Sequence, residues 1–214
     1  MGAAWKKLPE GKDFSKIIEM IRTVKSLNLE ACVTLGSITE IQAKELKKAG
    51  LDAYNHNIDT SPEFYKEIIS TRTFEERLDT IKNIRKAGIS VCCGGIIGMG
   101  ETWDDRAKML EVLVNLNPFP ESVPINALVP TKGTPLENKE PIKPFDMVRM
   151  VAVTRIIMPT TRVRLSAGRK ELSPETQMLC FLAGANSIFY GDTLLTTANN
   201  EMVEDRKLIA EFSG

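Results

Sequence analysis

The feature that most constrains this chain is a regular alternation of helical and strand patterns with short connections, from residue 13 onward. Apolar residues at helical spacing indicate amphipathic helices, and short apolar runs between them indicate strands. Strands are predicted at residues 30–35, 51–56, 90–97, 122–129, 162–165 and 187–190, and helices at residues 38–49, 74–87, 103–116, 145–157 and 174–184. Such alternation is typical of βα units that build a parallel sheet.

The predicted βα units number about six, which is too few for a closed barrel of eight. Two α/β architectures agree with the pattern, a (β/α)8-type barrel and an open doubly wound sheet, and both carry functional residues at the carboxyl ends of strands. The run Gly94-Gly95-Ile96-Ile97-Gly98-Met99-Gly100-Glu101 fits neither a dinucleotide nor a P-loop motif. Its glycines predict either a close approach of a flat ligand to the backbone or a turn or bulge.

Composition narrows the class of ligand. The 214 residues hold 28 Lys plus Arg and 28 Asp plus Glu, so no charged field is expected to attract nucleic acid or an anionic membrane. There is no apolar run of membrane-spanning length and no secretory core at the start, which favours a cytoplasmic protein that binds a small molecule. Four cysteines without a Cys-x-x-Cys pair, together with a single histidine, exclude an ordinary zinc site.

The run Tyr54-Asn55-His56-Asn57-Ile58-Asp59-Thr60-Ser61 is an unusually polar strand end. In an extended segment Asn55, Asn57 and Asp59 would point the same way, because side chains alternate between faces. Three convergent polar groups suit a ligand with several hydroxyls, such as a ribose, or a urea. The alternative is an Asx-rich turn and a helix N-cap, followed by Pro62 in the first helical position.

Two cysteines and an arginine fall inside predicted strands, at Cys32, Cys92 and Arg164. A cysteine in a strand is typically a buried packing residue. A guanidinium in a short apolar strand needs an anion or an acceptor nearby, because burying it unpaired is costly. A thiolate-bound cluster is one such partner, and plain packing of both cysteines is the alternative. Cys93 and Cys180 are predicted to be packing residues.

Five segments together resemble the biotin synthase family of radical S-adenosylmethionine (SAM) enzymes, namely residues 54–61, 94–101, 121–126, 163–169 and 183–188. The resemblance covers essentially the whole chain. It implies a (β/α)8 TIM barrel, incomplete here with about six of eight units, as a single partial domain over residues 1–214. The implied reaction is sulfur insertion into dethiobiotin, the last step of biotin biosynthesis.

The resemblance also implies two iron-sulfur clusters. In the family a 4Fe–4S cluster, held by a C-x3-C-x2-C loop, cleaves SAM to a radical that abstracts hydrogen from the substrate. A 2Fe–2S cluster, ligated by three cysteines and one arginine, gives up the sulfur. Cys32, Cys92 and Arg164 match ligands of this second cluster, and its third cysteine would directly precede Met1. No C-x3-C-x2-C motif occurs in these residues.

Positions that bind SAM in the family also have counterparts in this chain. Asn57 and Asp59 match positions that bind the ribose, where an amide and a carboxylate suit a vicinal diol. Ile96 matches a position on the adenine side, where it would pack on the base.

Four residues match positions that bind dethiobiotin. Asn55 and Asn126 match positions near the ureido ring, which asks for paired donors and acceptors. Thr196 and Thr197 match hydroxyls that receive the substrate carboxylate. The family further implies a homodimer and a flavodoxin-type reductase that delivers single electrons.

The missing motif leads to three hypotheses about this chain. The first is a fragment of a longer family member, begun at an internal methionine and unable to cleave SAM alone. The second is a short ligand-binding protein that does not react. The third is a barrel lyase or isomerase that uses the same polar strand ends without iron.

Overall fold

The computed structural model describes residues 1–191, 194 and 199–213, and in this part of the chain seven strands alternate with eight α-helices. The strands are β1 (Cys32–Val33), β2 (Ala53–Asn55), β3 (Ser90–Cys92), β4 (Gly95–Ile97), β5 (Ser122–Ala127), β6 (Arg162–Leu165) and β7 (Ser187–Ile188). The helices are α1 (Lys12–Ser26), α2 (Glu40–Lys48), α3 (Pro62–Ile68), α4 (Phe74–Lys86), α5 (Trp103–Asn115), α6 (Pro144–Ile157), α7 (Pro174–Leu182) and α8 (Met202–Ser213). Among the described residues, no helix is both long and apolar enough to cross a bilayer.

One compact unit comprises Met1–Ile58 and Ile69–Cys93. Its strands β1, β2 and β3 pair in parallel, in sequence order. Tyr54 in the middle of β2 is fully buried, and its hydroxyl donates to the Gly36 carbonyl at 2.8 Å. Capping boxes at Thr39 and Thr73 begin α2 and α4, so the sequence fixes where both helices start.

The other compact unit comprises Asp59–Ile68 and Gly94–Gly214. Its strands β4, β5, β6 and β7 also pair in parallel, each with the next. All of β5 is buried, as expected for a strand of a parallel sheet that is covered on both faces. Thr102 provides a capping box for α5, and Pro144 occupies the first turn of α6, where its missing N–H costs nothing.

The predicted alternation of strands and helices is confirmed, with a correction at residues 90–97 and with three helices, α1, α3 and α8, in addition to the five predicted. These residues are predicted as one strand but form two, β3 and β4, with Cys93 and Gly94 between them. The reason is a close backbone approach, since a Cβ at Gly94 would overlap the Pro124 carbonyl. Instead of continuing the strand, Gly94 accepts a hydrogen bond from the Asp59 N–H at 3.3 Å.

The polar run after β2 is less extended than predicted. β2 ends at Asn55, and Asp59 has a φ of +69°, so strict alternation of side chains does not reach Asp59. The N-cap alternative is confirmed at Ser61, whose Oγ accepts from the Phe64 N–H at 3.0 Å just before α3 begins at Pro62. The run is therefore both a strand end and a helix start.

Candidate functional site

In the first unit, strand register places Cys32, Asn55 and Cys92 on one face of the sheet. Cys32 is level with Ala53, and Asn55, two residues further along β2, is level with Cys92. Residues two apart in a strand point the same way. The residues that alternate with them, such as Tyr54, are buried on the opposite face. The three polar positions therefore share the less buried face.

Asn55 and Cys92 are in direct contact on this face. The Asn55 Nδ2 donates to the Cys92 Sγ at 3.6 Å, a normal distance for a hydrogen bond to sulfur. Cys92 is buried, whereas Asn55 is half-buried. An amide with remaining donor and acceptor capacity thus lies against a thiol.

The spacing of Cys32 and Cys92 suits a group held between them. Cys32 and Cys92 are two strands apart in the sheet and are offset by two residues along the strand direction. Their Cα atoms are therefore about 12 Å apart. A disulfide requires about 4–7 Å between Cα atoms, and neither cysteine forms one. Thiolates are the usual ligands of iron-sulfur clusters. The two thiols therefore fit two ligand positions of such a cluster. In the described part of the chain, no group of three or more His, Cys, Asp or Glu side chains forms a metal site.

In the second unit, Asp59 is joined to the edge of β4 through its backbone. Its carbonyl accepts from the Ile96 N–H at 2.7 Å, and its N–H donates to the Gly94 carbonyl. The left-handed φ of +69° is uncommon for a residue with a side chain, and such conformations concentrate at functional sites. A Cβ at Gly95 would overlap the Met109 sulfur and crowd the Asp59 carbonyl. The backbone therefore fixes Asp59 beside Ile96.

Asn126 stands next to this pair on β5, level with Ile96. Its Nδ2 donates to the Gly95 carbonyl at 2.9 Å, and its Oδ1 accepts from the Ala167 N–H at 3.2 Å. An amide has two N–H groups and two oxygen lone pairs. After these two bonds, one N–H and one lone pair remain for a ligand, in an orientation set by β4 and the end of β6.

Arg164 on β6 shares the face of Asn126, because it is level with Pro124, two residues before Asn126. Its Nε donates to the Ser187 Oγ at 2.9 Å, and its guanidinium lies over the Phe189 ring at 4.6 Å. The partner that the sequence predicts for the Arg164 guanidinium is thus the Ser187 hydroxyl, together with the face of the Phe189 ring. Neither contact is a hydrogen bond from the terminal nitrogens of Arg164, Nη1 and Nη2.

The carboxylate of Glu101 organises the glycine turn after β4, and sequence reasoning missed it. Glu101 accepts hydrogen bonds from the N–H groups of residues 98–100 at 2.8, 2.8 and 3.1 Å, and from the Arg106 Nε at 2.8 Å. Arg106 also bonds Asp146 at 3.1 Å. The signal in the sequence is a glutamate directly after Gly-x-Gly, with an arginine five residues later on a helix.

Three predicted residues remain to be placed. Asn57 is half-buried and follows β2 in the first unit. Thr196 and Thr197 lie outside the described residues.

His56, the single histidine, is a second group that sequence reasoning did not select. It is 3% exposed, and among the described residues its Nε2 has no hydrogen-bond partner. Burial, and then the positive charges of Arg77 and Arg72, lower the pKa of the imidazole from 6.5 to about 3. The ring is therefore neutral at physiological pH; in the sequence His56 stands between Asn55 and Asn57.

We predict that His56 makes the stability of the chain depend on pH. In the unfolded chain the imidazole takes up a proton below pH 6.5, whereas in the folded chain it does so only near its pKa of about 3. The free energy of unfolding should therefore fall by about 2 kcal/mol between pH 6.5 and pH 5. Urea unfolding of the wild type and of His56→Gln measures this. A wild type whose stability is as flat as that of His56→Gln contradicts the buried neutral ring.

Solved structures share this fold. Methylornithine synthase (PylB) matches with a TM-score of 0.76 at 19% identity, over 92% of this chain and 62% of that one. HydG, a maturase of the [FeFe]-hydrogenase, matches with a TM-score of 0.77 at 19% identity, over 96% of this chain and 51% of that one. These likenesses confirm the predicted fold class, an incomplete (β/α)8 barrel.

Family models and curated relatives agree on one family. The Radical SAM superfamily matches residues 9–113, and the Biotin and Thiamin Synthesis associated domain matches residues 124–212. Proteins named Biotin synthase from Methylorubrum extorquens and from Synechococcus elongatus are each 63% identical over 99% of this chain. The chain spans 63% and 66% of the lengths of these two relatives. The chain therefore belongs to the biotin synthase family of the radical SAM superfamily.

Proposed function

We propose that this chain takes part in sulfur insertion into dethiobiotin, the radical SAM reaction that forms biotin. The contact of Asn55 with Cys92 carries the proposal. It puts an amide that can bind a ureido ring against a thiol that can ligate a sulfur-donating cluster. The carbons that gain sulfur lie beside that ring, so the substrate and the sulfur must be held within reach of each other.

Two clusters and SAM follow from the family. The radical SAM superfamily implies a 4Fe–4S cluster and SAM, and biotin synthases also use a 2Fe–2S cluster. We assign Cys32, Cys92 and Arg164 as ligands of the 2Fe–2S cluster, which supplies the sulfur atom when bound. The spacing of the two thiols on one face supports this assignment. No ligand of the 4Fe–4S cluster is assigned, because the C-x3-C-x2-C motif does not occur in these residues.

SAM is assigned to Asn57, Asp59 and Ile96. The Asp59 carboxylate would accept a hydrogen bond from a ribose hydroxyl, and the Asn57 amide would donate one to a ribose hydroxyl. Ile96 would pack on the adenine. The backbone bond between Ile96 and Asp59 at 2.7 Å supports this assignment, because it fixes the ribose and adenine contacts relative to each other. A mainly buried carboxylate beside a half-buried apolar side chain suits a nucleoside.

Dethiobiotin is assigned to Asn55 and Asn126 at its ureido ring, and to Thr196 and Thr197 at its carboxylate. The remaining N–H and lone pair of Asn126 form the donor and acceptor pair that a urea requires. We further propose a cytoplasmic protein, homodimeric and reduced by a flavodoxin-type partner, with residues 1–214 as one barrel domain.

We predict that cluster assembly distinguishes the two adjacent cysteines. Anaerobic reconstitution of the chain with iron and sulfide should give the visible absorbance of a 2Fe–2S cluster in the wild type. Cys92→Ser should lose most of this absorbance, because its thiol is an assigned ligand. Cys93→Ser is the matched control, since Cys93 is also buried and lies one position away. Equal absorbance in the two variants, or none in the wild type, argues against the cluster assignment.

We predict that Asn55 contributes directly to dethiobiotin affinity. Asn55→Ala should weaken binding about tenfold in calorimetric titration, because loss of one hydrogen-bonding partner costs about 1.4 kcal/mol. Asn138→Ala, at an exposed asparagine in a loop, is the control and should bind as the wild type does. An unchanged dissociation constant in Asn55→Ala removes Asn55 from the substrate site.

A further inference from the structure

Phe189 contacts an assigned cluster ligand, although none of the sequence predictions gives it a role. It follows β7 directly and is half-buried. The Arg164 Cζ lies over its ring, 4.6 Å from the ring centroid. A guanidinium is planar, and it is attracted to an aromatic face by the ring quadrupole and by stacking. The ring therefore restrains one face of the Arg164 guanidinium.

The register of β6 and β7 explains why one short segment supplies both contacts of Arg164. Arg164 is level with Ser187, the first residue of β7, and Phe189 follows two residues later. The Ser187 Oγ accepts from the Arg164 Nε at 2.9 Å, while the Phe189 ring lies on the guanidinium. Residues 187–189 therefore hold Arg164 both at its Nε and at one face.

The backbone of Phe189 is itself anchored to buried groups. Its carbonyl accepts from the Asn199 Nδ2 at 2.9 Å and from the Arg169 Nη2 at 3.4 Å. Arg169 is 1% exposed and donates two hydrogen bonds to Asp205, at 2.6 and 2.8 Å. Bidentate bonds of this kind are among the strongest that a guanidinium forms. The Phe189 ring therefore projects from a fixed backbone position, as a residue that restrains its neighbour must.

The edge of the Arg164 guanidinium that carries the terminal nitrogens is left for a ligand. Among the described residues, Nη1 and Nη2 of Arg164 form no hydrogen bond, whereas Nε and one face are both in contact. A free arginine side chain has many rotamers, and ordering it costs entropy. Because the Phe189 ring and the Ser187 hydroxyl already restrict these rotamers, this edge is oriented before anything binds to it.

We propose that Phe189 is a positioning residue for Arg164, which holds the guanidinium so that its Nη1 and Nη2 edge is available to the 2Fe–2S cluster. The inference rests on the proposed function, which assigns Arg164 as a ligand of that cluster. Groups that orient the ligands of a metal site contribute to its affinity and tune the metal. Phe189 acts through Arg164 and does not contact the cluster.

The first test measures the mobility of Arg164 in the chain without a cluster. Solvent exchange of the Arg164 Nε–H is followed by NMR in chains that carry isotope-labelled arginine. Phe189→Leu removes the aromatic face and keeps an apolar side chain, whereas Phe189→Tyr keeps the face. Phe145→Leu is the matched control, because it makes the same substitution at a phenylalanine that is 65% exposed.

Positioning by the ring predicts faster exchange when the aromatic face is lost. The Arg164 Nε–H should exchange about tenfold faster in Phe189→Leu, since losing a cation–π contact weakens the restraint by roughly that factor. Phe189→Tyr and Phe145→Leu should exchange as the wild type does. Exchange in Phe189→Leu at the wild-type rate overturns the proposal, because the ring then only fills space. Equal acceleration in Phe189→Tyr also overturns it.

The second test measures the reduction potential of the cluster after anaerobic reconstitution with iron and sulfide. Ligand type and nearby charge set the potential of an iron-sulfur cluster. Phe189→Leu should therefore shift the potential in the same direction as Arg164→Met and by a smaller amount, and Phe189→Tyr should keep the wild-type value. A wild-type potential in Phe189→Leu, together with a shifted one in Arg164→Met, overturns the proposal.

Failure of the proposed function gives a different result. A wild type that assembles no cluster, or an Arg164→Met chain with the wild-type potential, contradicts the assignment of Arg164 as a ligand. The exchange measurement does not need the cluster, so it still decides whether Phe189 holds the guanidinium. Where Phe189→Leu does not fold, Phe189→Met replaces it with the same expected results, since methionine is apolar and adaptable and has no aromatic face.

Discussion

The nucleoside contacts that we propose for Asp59 and Ile96 depend on one backbone hydrogen bond, from the Ile96 N–H to the Asp59 carbonyl at 2.7 Å. Asp59 adopts a left-handed conformation that costs about 1–3 kcal/mol, and the surrounding structure must hold it there. This bond and the one from Asp59 to Gly94 supply that constraint. They require glycine at position 95, where a side chain would collide with Met109 and Asp59. The backbone thus fixes the direction in which the Asp59 side chain leaves the chain.

The polar side chains described above form two groups, which differ in how many of their hydrogen-bond donors and acceptors are already used within the protein. Glu101 accepts four hydrogen bonds within the protein and so shapes the turn after β4. Asn55 and Asn126 each keep capacity for a ligand after bonding a sulfur or a carbonyl. Such a division is expected where buried polar groups must be satisfied and a few must still recognise a substrate.

The order of strands and helices could be predicted because hydrophobic periodicity is local. The break between β3 and β4 could not, because it depends on Pro124 and Asp59, which are distant in sequence from Gly94. The polar strand ends could be recognised in the sequence. The spacing of the cysteines, however, did not distinguish a thiol that ligates a cluster from one that only packs in the core. Those assignments came from family resemblance. Helix α8 was missed because it lies beyond the last predicted element, the strand at residues 187–190.

The most direct test of the account is a titration of SAM into the isotope-labelled chain, followed through its backbone amide chemical shifts. The nucleoside should perturb residues 57–61, 94–98 and 126, because the Asp59 and Ile96 backbones are bonded and Asn126 is level with Ile96. Helix α8, which holds none of the residues assigned to SAM, should stay unperturbed. Saturable shifts that leave residues 59 and 96 unchanged, or no shifts at all, would contradict the assignment of this strand end to SAM.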